Sequence, residues 1–177
     1  MRKIVITLLA SILAFTMVAS AAAQLSNTAT VTITSTGALV VSVQSASFGT
    51  HPYSFSAQPV TGNIVIGVQD NTGSGAGWNV TLLGGPFSRD ANTSFPISNL
   101  ALAAGTPVRD AGQAVTAGLT TIGLSPVSGT AQKVASATTL NGMGQYTVTS
   151  VGTLTIPGGT LIGTYNSTLT VAINSGP

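Results

Sequence analysis

Side chains able to do acid–base, nucleophilic or metal chemistry are scarce in this chain. It has one His, no Cys, and three acidic residues that are all Asp. General acid–base catalysis needs a His or a carboxylate set beside a partner. His51 is the sole imidazole, next to Pro52, and reads as an exposed loop residue. Asp70, Asp90 and Asp110 each stand in a turn-like context. A Ser-His-Asp set would have to use His51, and no Gly-x-Ser-x-Gly elbow offers a nucleophile for it. The lack of Cys removes thiol redox chemistry and thiolate metal sites. "DNTGSG" (70–75) is oxygen-rich like a calcium loop, but no Glu follows to supply a bidentate carboxylate. It reads better as a turn, in which Asp70 and Asn71 bond nearby backbone and the glycines reach positive φ. The expectation is a protein that is not an enzyme and has neither cofactor nor metal.

What remains is binding chemistry, and the residue that draws attention is Trp78, the only tryptophan. It directly follows the Gly-rich turn and opens the alternating run "WNVTLL" (78–83). Alternation sends Trp78, Val80 and Leu82 to one face of a strand. Two roles compete. The ring covers one end of an apolar core, or it stacks on sugar rings or a partner strand.

The elements that position these residues have a period of two. "TATVTIT" (28–34), "ALVVSVQ" (38–44), "NIVIGVQ" (63–69), "WNVTLL" (78–83), "QKVASA" (132–137), "QYTVTSVGTLTI" (145–156) and "TYNSTLTVAI" (164–173) are rich in Val, Ile and Thr. Each is bounded by Gly, Pro, Asn or Ser, the mark of short strands between turns. The nearest approach to a helix, "ALAAGTPVRDAGQAV" (101–115), is broken by Gly105, Pro107 and Gly112 and reads as loop with a short helical turn. The 85–130 region is the least regular, and its two "RD" pairs, Arg89–Asp90 and Arg109–Asp110, read as solvated turn residues. The expected fold is all-β: a single-domain antiparallel β-sandwich with Greek-key-like connections.

The N-terminus sets the compartment. Arg2 and Lys3 precede an apolar run, Ile4 to Val18, and a small-residue stretch ending at Ala23. This reads as a cleaved signal peptide, residues 1–23, ahead of a domain over 24–177, and no later stretch is apolar for long enough to span a bilayer. The formal net charge of +2 rests on Arg2 and Lys3; beyond residue 23, Arg89, Arg109 and Lys133 balance the three Asp. No basic cluster remains to neutralise nucleic-acid phosphates or anionic lipid. A neutral surface of Ser, Thr, Asn, Gln and Gly tolerates self-association.

Two stretches carry a resemblance. "DNTGSGAGWNVTLLGGPFS" (70–88) resembles the first signature of the WxL domain of cell-surface proteins. Asp70, Gly77, Trp78 and Phe87 match, with Val80 at the signature's Leu. "LTIPGGTLIGTYNSTLTVAINSGP" (154–177) is similar to the C-terminal signature. Ile156, Pro157, Gly163, Thr164, Tyr165, Leu169, Thr170 and Pro177 match, with Val171 at the second Trp and Ile173 at the second Leu. The resemblance implies a secreted, cell-surface all-β domain held non-covalently at the envelope, with peptidoglycan or other surface proteins as partners. Trp78, Val80, Tyr165, Val171 and Ile173 are its candidate binding residues. The alternative is an extracellular filament subunit. Ala29, Val31 and Ile33 form one apolar face of the N-terminal strand and would be exchanged between copies, since no charge or Pro guards that segment.

Overall fold

The computed structural model describes residues 30–35 and 37–177. The signal peptide expected over residues 1–23, and Ala29, lie outside the described residues. The described residues build eleven strands and one 3₁₀ turn, Ile97–Asn99. Sheet A sets β1 (Leu39–Ala46) beside β2 (Gln58–Asp70), then β10 (Gly144–Ile156), whose far edge pairs with β6 (Leu100–Leu102) and β7 (Thr106–Gly112). Sheet B runs β11 (Leu169–Ser175), β3 (Trp78–Gly84), β9 (Gln132–Ala137), β8 (Leu119–Thr121). A small hairpin, β4 (Phe87–Asp90) and β5 (Thr93–Phe95), follows β3. All pairings are antiparallel, and strands distant in sequence become neighbours in both sheets, as expected of a Greek-key-like sandwich.

The core follows from alternation. On β2, Val60, Ile64, Ile66 and Val68 point inward, and on β10 Tyr146, Val148 and Leu154 do the same. Sheet B answers with Trp78, Val80, Leu82, Val134, Ala135 and Ala137. β2 and β10 pair without a break from Gln58↔Ile156 to Asp70↔Gly144. At roughly 3.3 Å per residue they form a spine of about 40 Å that defines two ends of the sandwich. Trp78 and Tyr146 lie toward the Asp70 end, and Phe48, Phe87 and Phe95 toward the Gln58 end.

Three expectations need correction. Residues 101–115 hold strands, not a loop with a helical turn. β7 pairs with β10 from Thr106↔Thr149 to Gly112↔Gly144. It is an edge strand, paired only with β10, and a sheet edge is where a proline such as Pro107 is tolerated. Its exposed Arg109 and Asp110 hid the alternation. Second, "TYNSTLTVAI" is a strand only from Leu169; residues 164–168 form a loop tied to β4 by a two-way Ser88–Asn166 bridge. Third, no strand forms over the described residues 30–35, and Val31 and Ile33 are 84% and 91% exposed. Alternation supplies a face but not a partner, and a strand needs one for its backbone groups.

Candidate functional site

The first signature begins with a chain of local hydrogen bonds. The Asp70 carboxylate accepts from the Thr72 amide at 3.0 Å and the Thr72 hydroxyl at 2.6 Å. Thr72 Oγ1 then accepts from the Ser74 amide, and Ser74 Oγ from the Ala76 amide, each at 3.3 Å. Side chains at every second residue thus satisfy the backbone of a loop with no sheet partner. Gly77 closes the turn at φ +75°, a conformation costly for residues with a side chain, and a Cβ there would strike the Ala137–Thr138 backbone.

Trp78 is wholly buried. Its Nε1 donates to the Gly142 carbonyl at 2.9 Å, and its ring leans on Tyr146 with centroids 6.5 Å apart. A Cβ on Gly142 would meet the indole at 2.6 Å, so that position has room only for glycine. The turn bearing Gly142 is itself fixed. Gln113 donates to Leu140 O at 2.8 Å, and the Tyr146 hydroxyl donates to Gln113 O at 2.7 Å. Burial pushes the Tyr146 hydroxyl up from its ordinary value. With neither ring face open, Trp78 has nothing to offer a ligand.

The two signatures are hydrogen-bonded neighbours. β3 and β11 pair with Trp78 opposite Ser175, Val80 opposite Ile173 and Leu82 opposite Val171. Val80 is fully buried, while Val171 and Ile173 are half-buried because β11 has no outer neighbour among the described residues. Four of the five sequence-derived candidates therefore form one patch of the inner wall. The fifth, Tyr165, sits at the other end of the sandwich.

There Tyr165 belongs to a row of rings that the sequence analysis did not single out. Phe95 lies 5.2 Å from Tyr165 and stacks on Phe87 at 5.2 Å, and Phe87 meets Phe48 edge-on at 6.3 Å. Phe48 rests where Gly62 pairs with Gly152; a Cβ on either would come within 3.0–3.2 Å of its ring. Above this row the β1–β2 and β10–β11 loops enclose a cleft of about 590 Å³. None of its lining residues is Asp, Glu, Lys or Arg. On the rim, Tyr53 and Phe55 pack edge-on at 5.2 Å, and His51 Nε2 bonds to Phe48 O at 2.5 Å. The available signal was a count: beyond Ala23, every aromatic residue except Trp78 and Tyr146 gathers here. Sequence separation hid it, since the rings come from five segments between residues 48 and 165.

Just outside the cleft, Arg89 bonds Asp90 at 2.8 Å and the Ile162 carbonyl at 2.9 Å. The Arg89 guanidinium and then the Asn92 amide hold the Asp90 carboxyl below its usual range. The second "RD" pair splits, with Asp110 accepting from Thr147 at 2.8 Å and Arg109 donating to Gly112 O at 3.2 Å.

Among the described residues, no group of three His, Cys, Asp or Glu side chains comes together, and no helix is long and apolar enough to cross a membrane. A family model described as "WxL domain surface cell wall-binding" matches residues 28–177. No curated protein and no solved structure matches the chain.

Proposed function

The chain belongs to the WxL family of surface cell wall-binding domains, and from that premise we propose that it is exported and held non-covalently at the cell wall, with peptidoglycan as its partner. The observation that carries this reading is the extent of the family match, which covers both signatures and all eleven strands. The reading is of a binding domain and not of an enzyme. The one imidazole is engaged with the carbonyl of its own loop. Because Trp78 and Val80 are sealed in the core, contact with the wall falls to other surfaces. Fractionation of intact cells tests the reading. The protein should sediment with walls and come off in chaotrope. Recovery in the culture medium, with no affinity for added walls, would overturn it.

A second reading, a filament assembled by strand addition, is favoured by a difference between the two sides of the sandwich. On one side the edges are protected: β7 carries Pro107, Arg109 and Asp110, and β8 is only three residues long. On the other, β1 ("LVVSVQSA") and β11 ("LTVAINS") have no charge and no Pro, the usual guards of an edge. Their Cα atoms approach within 8 Å, yet no backbone hydrogen bond joins them. Their inward residues, Val41 and Val171 among them, are half-buried. An alternating strand from another copy, with Ala29, Val31 and Ile33 facing inward, has the right pattern to complete that seam. In this reading the same fractionation yields fibres visible by electron microscopy in the absence of walls.

A further inference from the structure

We propose that the cleft between the β1–β2 and β10–β11 loops is a binding site for a neutral glycan chain of N-acetylated sugars. The inference rests on the wall-binding reading and names the place and the chemistry of that contact.

Size and charge come first. A volume of about 590 Å³ lies within the roughly 300–1,000 Å³ range of small-molecule sites. An anionic wall polymer would need cations here, but the lining has none and neighbouring Arg89 is committed to Asp90 and to Ile162 O. A neutral, hydroxyl-rich chain is the wall component suited to such a lining.

Apolar exposure comes second. Phe55 is 88% exposed and Tyr53 50%, with Leu161 and Ile162 exposed on the facing loop. Single exposed apolar side chains are ordinary, but a group of them around a concavity marks a contact surface. Sugar rings present apolar C–H faces, which aromatic faces cover without a charge partner.

Polar supply comes third. The Tyr53 hydroxyl, Thr164 Oγ1 and the Asn166 amide line the cleft and make no side-chain hydrogen bond among the described residues. Hydroxyls and a carboxamide together can donate to and accept from sugar hydroxyls and acetamido groups. The scaffold behind them is already fixed. Gly159 N donates to Ser54 O at 2.8 Å, joining the two loops. Gln58 donates to Pro52 O at 3.0 Å, and the Tyr165 hydroxyl to Leu161 O at 3.0 Å. Little ordering is then left for the ligand to impose.

Calorimetric titration of the purified protein with chitotetraose, and with soluble peptidoglycan fragments whose lactyl groups are still amide-linked to peptide, tests the site. The protein should bind at least one of the two, and the one it prefers identifies the source. The double variant Tyr53→Ala/Phe55→Ala should bind about tenfold more weakly with an unchanged melting temperature. If the double variant melts lower, exposed Asn166→Ala serves the same comparison. No binding of either glycan, or full affinity in the variants, overturns the proposal. A wall pull-down run in parallel separates the two readings. Walls held without any glycan binding leave wall attachment standing and remove the cleft; glycan binding without wall retention does the reverse.

Discussion

Trp78 shows how a conspicuous residue can be structural. Its face was legible from the two-residue period of "WNVTLL". Its hydrogen-bond acceptor was not, because Gly142 lies 64 positions away and reaches the indole only through the turn that Gln113 clamps. Truncating a buried aromatic of this size costs about 3–5 kcal/mol, a large share of the roughly 5–15 kcal/mol that a domain has. Trp78→Ala should therefore melt far below the parent. Trp78→Phe keeps most of the packing, loses the bond to Gly142, and should fall between the two. Equal melting of Trp78→Ala and the parent would contradict the core role. Two further residues contribute to the pH dependence. Asp90 is depressed by Arg89, so its contribution is present above the ordinary Asp value of 3.8 and lost as pH falls through its lower folded value. Tyr146 is raised by burial, so its contribution is whole below the ordinary Tyr value of 10.0 and lost as pH rises through its higher folded value. Melting curves across pH should lose stability above about 10, and Tyr146→Phe should flatten that alkaline limb. An alkaline limb unchanged in Tyr146→Phe would rule out this assignment.

Strands with one strongly apolar face were readable. "QKVASA" is β9 residue for residue, and "QYTVTSVGTLTI" is β10 but for its first glycine. β7 was not, because an edge strand exposed along most of its length carries no clear alternation. The paired glycines of β2 and β10 were also silent in the sequence, since their meaning is the ring of Phe48 seated on them. Gly62→Ala would drive a methyl into the Ser47 carbonyl and the Phe48 ring, and overpacking of this kind costs typically about 1–3 kcal/mol. A lowered melting temperature is expected. An unchanged one would show that the β1–β2 link yields freely. The N-terminal segment supports the opposite prediction. With no strand over 30–35, deleting residues 24–35 should leave the melting temperature within a degree or two of the parent. Unfolding on deletion would mean that the segment is an integral strand after all.

The molecule as a whole has two unlike ends and two unlike sides. One end is closed by Trp78, Tyr146 and their polar turns; the other is open and ringed by aromatics. One side has guarded edges and the other does not. Fold class and family were legible because pattern and signatures are local in sequence. The open end was not, because it is assembled from segments that only the fold brings together. The description of the matched family model points to the wall, and the near-neutral composition leaves apolar contact and hydrogen bonding to hold the protein there. Co-sedimentation of the purified protein with peptidoglycan freed of proteins and anionic polymers tests this most directly. Saturable binding that changes little with ionic strength is the expected result, since screening acts on charges, and the described surface has only a few, of both signs. No binding, or binding abolished by moderate salt, would contradict it.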